Sequence, residues 1–168
     1  MNREEVFPIA FEVEQVLIDE GFNALVCGSL RRMCLTVRDA NLAVSGPIQS
    51  CLEEIRKHWK VTDMSIDARR ATVLINNIQF WLQVADKEEW GAMTLALTGS
   101  KLFNILIRGV AKTQGLKLNE YGLWHLGERI AGRDERQIFE ALGLEYLDPI
   151  HRNLMGKSDP LPKIKEGN

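Results

Sequence analysis

The sequence predicts an α+β protein, and three observations carry that expectation. Short apolar runs bounded by glycine, proline and asparagine alternate with helical periodicities over the first half of the chain. From Glu88 onward the pattern turns mainly helical. Within that second part the stretch 116–124 alternates like a strand and precedes a short helix opened by acids.

Taken in order, the first helix is expected from about Val6 to Glu20, where Val6, Ile9, Ala10, Val13, Val16 and Leu17 recur at helical spacing and Gly21 follows. Ala24–Cys27 is a short apolar run closed by Gly28, which suits a buried strand feeding a helix at Ser29. A second strand is expected over Val37–Val44, stopped by Gly46-Pro47, and residues 48–58 repeat a helical period through Ile48, Cys51, Leu52 and Ile55. Strands then follow at Val61–Asp67, Ala71–Ile75 and Ile78–Val84, with Asn76-Asn77 as a two-residue hairpin turn. Ser100 is placed to cap a helix whose stripe is Leu102, Ile105, Leu106, Gly109 and Val110, with Gly115 past its end. Leu116–Trp124 reads as one strand, with Gly127 ending its hairpin, and Asp134–Leu142 as a short helix. The last residues, with Pro160, Pro162 and interspersed lysines, read as a loosely ordered tail.

A chain of 168 residues, 45% apolar and 26% charged, is long enough to bury a core as one domain or as two small lobes. Its N-terminus opens on Asn2-Arg3-Glu4-Glu5, unlike a signal peptide, and no apolar run approaches the roughly 18 residues of a membrane span; a cytoplasmic protein is expected. Cys27, Cys34 and Cys51 are odd in number and lack Cys-x-x-Cys spacing, so buried free thiols are expected rather than disulfides or zinc. The net charge of −2 is uneven: residues 1–95 carry 10 Lys and Arg against 14 Asp and Glu, residues 96–168 carry 11 against 9. That excess of positive charge is a weak pointer to phosphate contact in the second half, no stronger than a chance imbalance on solvated faces. His58, His125 and His151 show no metal-ligand spacing, and Trp59, Trp90 and Trp124 read as packing anchors.

The stretch with most chemical content is Gly28-Ser29-Leu30-Arg31-Arg32, followed by Asp39-Ala40-Asn41. A Gly-Ser turn between an apolar strand and a short basic helix places backbone N–H groups and a hydroxyl where a triphosphate could sit. An Asp-x-Asp pair would complete such a site by holding Mg²⁺, but here its second position is Asn41.

These residues, with Arg3–Ala10, Leu97-Thr98-Gly99-Ser100-Lys101-Leu102-Phe103-Asn104, Leu118–Leu123, Gly127–Gly132 and Ile138–Leu144, come in an order that resembles the palm and thumb of the family X DNA polymerases, the polymerase β group. The resemblance implies a nucleotidyltransferase-type palm, a mixed sheet with flanking helices, over 1–95. It implies a small α+β polymerase-β-like thumb over 96–155, with 156–168 as the tail. The family's N-terminal lyase and fingers region has no counterpart, as in minimal viral members, which implies a phage or viral source.

The resemblance also assigns site positions. The family's three metal-binding aspartates fall on Asp39, Asn41 and, counting back from Thr98-Gly99-Ser100, Trp81. An amide oxygen can ligate a metal but brings no charge, and indole has no ligating oxygen. Strand alternation sets Gln79, Trp81 and Gln83 on one face, so Trp81 projects where the third aspartate would be. Asp86, five residues on, is about 16 Å away and on the opposite face. Gly28, Ser29 and Arg32 match the triphosphate cradle, Asn104 and Arg108 match thumb residues near the base pair and template, and Lys112 shares a helix face with Arg108. Ala96-Leu97 replaces the Tyr-Phe pair that shapes the sugar pocket. The expectation is a polymerase-X-like pseudoenzyme that binds DNA, nucleotide or a protein partner, requires no cofactor and holds Mg²⁺ weakly at Asp39 if at all. The alternatives are an active nucleotidyltransferase with an unorthodox metal site, and a structural or interaction component of a virus.

Overall fold

The computed structural model describes residues 1–154 and Leu161. The chain divides into two compact units, Met1–Asp86 and Lys87–Asn168, a division nine residues ahead of the expected one. Of the expected tail at 156–168, all but Leu161 lies outside the described residues, and Leu161 is buried against the second unit's core.

The first unit is a five-stranded mixed sheet. Helix α1 (Arg3–Asp19) is capped by Asn2, whose side chain accepts from Glu4 N–H, and buries Val6, Ala10, Val13 and Leu17. Strand β1 (Ala24–Cys27) runs into the one-turn helix α2 (Gly28–Arg31), and β2 spans Ala40–Val44. The second strand is shorter than its expected range of Val37–Val44. Val37 is buried but its N–H and C=O are engaged by the chain start at Met1, so it cannot join the ladder. Helix α3 (Ile48–Arg56) then leads to β3 (Val61–Ile66), β4 (Arg70–Ile75) and β5 (Ile78–Val84).

The strand order is β1-β2-β5-β4-β3, with β2 and β5 parallel and every other pair antiparallel. Asn76 and Asn77, both at positive φ, make the β4–β5 turn that a tight hairpin demands. Asp67 makes the β3–β4 turn by accepting from the N–H groups of Arg69 and Arg70 at 2.9 Å each, and these two bonds hold its carboxyl below the usual carboxylate range. Apolar residues of all five strands point inward to meet α1 and α3; on the other face Cys27 and Ala43 are buried at the β1–β2 end, while β4 and β5 present Arg70, Thr72, Gln79, Trp81 and Gln83 at least partly exposed.

The second unit begins with a 3₁₀ turn at Lys87–Glu89 and helix α4 (Trp90–Thr98), then α5 (Lys101–Thr113), three short strands β6 (Lys117–Asn119), β7 (Gly122–His125) and β8 (Glu128–Ala131), and α6 (Glu135–Ala141). Ser100 caps α5 as expected, its hydroxyl accepting from Phe103 N–H. The single strand expected over 116–124 is instead two. Asn119 Oδ1 accepts from Tyr121 N–H and from Trp124 Nε1, 3.0 Å each, and folds the chain back on itself at Glu120-Tyr121. Leu118 and Leu123 become cross-strand partners on the buried face.

The core of this unit contains a charge. Arg152 is fully buried; its Nη1 donates to Glu135 Oε1 at 2.6 Å and its Nε to Leu147 C=O at 2.8 Å. Its guanidinium sits 5.4–5.5 Å from the centroids of Phe103, Phe139 and Tyr146. Its own carbonyl accepts from the Ser100 hydroxyl at 2.7 Å, tying the chain after α6 to the start of α5.

Removing one member of such a pair strands the other in an apolar site. Arg152→Ala is expected to destabilise the protein by about 3–5 kcal/mol, and Arg152→Met with Glu135→Leu to recover most of the loss, both read from urea unfolding. Cys51, fully buried and donating to Ser45 C=O at 3.1 Å, has its thiol pushed up to about 12 by burial. Cys27 is equally buried, whereas Cys34 is partly accessible, so the expectation of buried thiols holds for two of three. A thiol reagent at neutral pH should therefore consume one equivalent in the folded protein, at Cys34, and the remaining two only on unfolding.

Candidate functional site

The β2–β5 pairing brings the sequence-predicted residues together. Because those strands are parallel, Asn41 lies directly beside Trp81, and Cys27 at the end of β1 is the other register partner of Asn41. Asp39 sits just before β2, partly exposed. Gly28, at φ +65, follows Cys27 immediately and is fixed as glycine by crowding: a Cβ there would come within 2.9 Å of Asn41 Nδ2. The turn, Asp39, Asn41 and Trp81 thus form one neighbourhood at the edge and centre of the open sheet face.

Within it, Asn41 Nδ2 donates to Asp39 Oδ1 at 2.9 Å. The amide thereby satisfies with a proton the oxygen that a second carboxylate could only leave to a cation. Trp81 is 44% exposed and presents no oxygen. Asp86 does not make up the deficit: it lies past the end of β5, with its carboxylate 3.6 Å from Arg69 Nη1. Among the described residues no three His, Cys, Asp or Glu side chains are grouped to hold a metal ion. One carboxylate, one amide and an indole do not fit a pair of Mg²⁺ ions, which require several anionic oxygens between them.

The cradle residues are held locally. Ser29 is partly buried, and its carbonyl accepts from Cys34 N–H at 3.0 Å; Arg32 ends α2, with its Nη2 3.9 Å from Cys34 Sγ. The loop Arg31–Cys34 closes through Arg32 N–H to Gly28 C=O and Met33 N–H to Leu30 C=O, with Met33 at φ +60.

In the second unit Asn104 is positioned by α4, its Nδ2 donating to Ala96 C=O at 2.9 Å, so one of its donors serves the helix pair. Arg108 and Lys112 are both exposed on α5, as the spacing predicts, and Lys101 and Ile105 continue the same face toward the helix start. Arg108 lies 3.8 Å from Glu120 Oε2. Trp59 packs on the core of the first unit as expected, whereas Trp124 is half-buried outside the second unit's core, its ring under Arg129 at 4.8 Å and its Nε1 donating to Asn119. No helix among the described residues is long and apolar enough to cross a membrane.

Comparison with known proteins places these two units. Residues 93–153 match the family described as DNA polymerase beta thumb. Over 67 residues the chain is 42% identical to DNA polymerase IV of Saccharomyces cerevisiae, a match that covers 40% of this chain and 12% of the yeast protein. It is 29% identical over 156 residues to the Repair DNA polymerase X of African swine fever virus, with 86% of this chain and 90% of the viral one covered. With DNA polymerase lambda of Rattus norvegicus it shares 24% identity across 91% of this chain and 33% of the rat protein. The chain is therefore similar to these DNA polymerases over most of its length, and its residues 93–153 match a polymerase beta thumb.

Proposed function

We propose that this chain binds DNA or nucleotide as a family X polymerase homologue that no longer carries out two-metal nucleotidyl transfer. The observation that supports this reading is the adjacent pair Asn41 and Trp81, standing at two of the three positions where the resemblance places carboxylates. Metal-assisted transfer needs anionic oxygens to hold two cations about 4 Å apart, and Asp39 alone supplies one group. A single weakly held Mg²⁺ at Asp39, on a bound triphosphate, is the most this set provides. Ser29 and Arg32 would meet the phosphates, and the basic face of α5 would follow a nucleic-acid backbone.

A second reading, an active polymerase with another metal arrangement, draws on the 90% coverage of a viral protein named as a repair polymerase. In either case the ligand is DNA or nucleotide; a protein-interaction component with affinity for neither is the third reading. Primer extension on gapped DNA with Mg²⁺ or Mn²⁺ separates the first two. No extension is expected; extension that Asp39→Ala abolishes would overturn the proposal. Binding of duplex DNA should weaken steeply as salt rises, and Lys112→Ala should lower affinity across sequences and reduce the salt slope by about 1. A complete lack of binding at low salt would leave the protein-interaction reading.

A further inference from the structure

We propose that Trp81 is a stacking platform for an unpaired nucleobase, an inference that rests on the nucleic-acid reading above and names the group recognised. Cys27, Asn41, Trp81, Thr72 and Ser65 are successive register partners, one row crossing all five strands, with Trp81 on the central one. Along β5 the same face carries Gln79 and Gln83, and Arg70, the register partner of Gln83, is exposed beside them.

An indole 44% exposed at the middle of a sheet is unusual company for so many polar side chains. Its indole keeps 44% of its surface open, whereas Phe80, Leu82 and Val84 on the opposite face of the same strand are buried. Apart from Leu74, opposite Gln79, and the small Ala43, opposite Gln83, its neighbours are Asn, Gln, Thr and Arg, and these do not make the ring of large apolar side chains that surrounds a protein-binding hot spot. The composition is that of a base-reading sheet: one aromatic face for stacking, amides at its edges and a cation one row away.

Spacing supports the same reading. Register partners place their Cβ atoms about 5 Å from that of Trp81, and Gln79 and Gln83 lie about 7 Å along the strand, within reach of the edges of a base lying on the ring. Arg70 is diagonal to Trp81, and its longer side chain suits the attached phosphate. Two strand spacings, roughly 10 Å, separate Trp81 from Cys27 and the Gly28 turn beyond it. A carboxylate in place of the indole would supply no such platform.

The base is carried either by a single strand or by a free nucleotide, and two probes distinguish them: fluorescein-labelled oligo-dT, followed by anisotropy at low salt, and dTTP, whose affinity for wild type and variants is read by isothermal titration calorimetry, with quenching of tryptophan fluorescence as an added signature in the wild type. Trp81→Ala and Trp81→Leu are expected to weaken binding roughly 5- to 150-fold, while Trp81→Phe, which keeps an aromatic face, retains most of it. Trp81→Phe should also remove the quenching that the bound base produces. Trp81→Leu keeps a bulky apolar side chain on the strand, and unchanged circular dichroism melting confirms its fold. Loss with oligo-dT identifies a strand as the source, loss with dTTP a nucleotide, and either supports the proposal. Wild-type binding that Trp81→Leu leaves unchanged would overturn it while leaving the nucleic-acid reading intact; wild-type protein that binds neither probe would overturn both.

Discussion

The parallel pairing of β2 with β5 is the constraint on which the first unit depends. Parallel neighbours cannot be joined by a tight turn, so the chain between them must leave the sheet and return, and it does so through α3 and the β3–β4 hairpin. That excursion puts α3 on the face already occupied by α1, and the two helices close one core against the inward residues of all five strands. On the other face the one-turn helix α2 packs against β1 and β2, and the part carried by β4 and β5 stays open. The pairing also fixes which residues meet at the centre of that open face, because a register shift of one would turn Trp81 inward and Phe80 outward.

The second unit is organised on a different principle. Its strands are three or four residues long and could not hold a sheet without the helices behind them. Its helices in turn are bound together by a buried cation rather than by apolar contact alone. Arg152 reaches Glu135 at the start of α6, the Leu147 carbonyl and the three aromatic rings, and through its own carbonyl it holds Ser100. A buried pair of this kind contributes little net stability over an apolar substitute but penalises any arrangement that separates its members. The exposed basic face of α5 is thereby presented on a helix whose first turn is anchored twice, by its cap and by Arg152.

Where local pattern decided structure, it was readable from the sequence. Ala24–Cys27 and Ile78–Val84 have the bounds expected of them because glycine or asparagine punctuates each and alternation marks the inward side. The alternation of Leu116–Trp124 was misleading for a physical reason: Leu118 and Leu123 keep their inward phase across a turn made by the Asn119 side chain, so the turn leaves no break in the pattern. Helix α4 escaped separate notice because it is apolar nearly all round and buries Gly91 through Leu95, which removes the periodic stripe. The adjacency of Asn41 and Trp81 joins residues forty positions apart across a parallel pair, and periodicity carries no trace of such a contact. Only the spacing of the family resemblance pointed to Trp81, and it carried no information on what an exposed indole binds.

The open face also changes character electrostatically when its central residues are an amide and an indole. A carboxylate about 6 Å from a phosphate oxygen repels it by roughly 3 kcal/mol at an effective dielectric of 20, so a site built from several carboxylates admits phosphates only when cations sit between them. With Asp39 as the carboxylate beside Asn41 and Trp81, and its Oδ1 already satisfied by the Asn41 amide, most of that repulsion is missing. On the proposed reading, such a face would tolerate a nucleotide without a metal between them, and affinity on this sheet would be separable from catalysis.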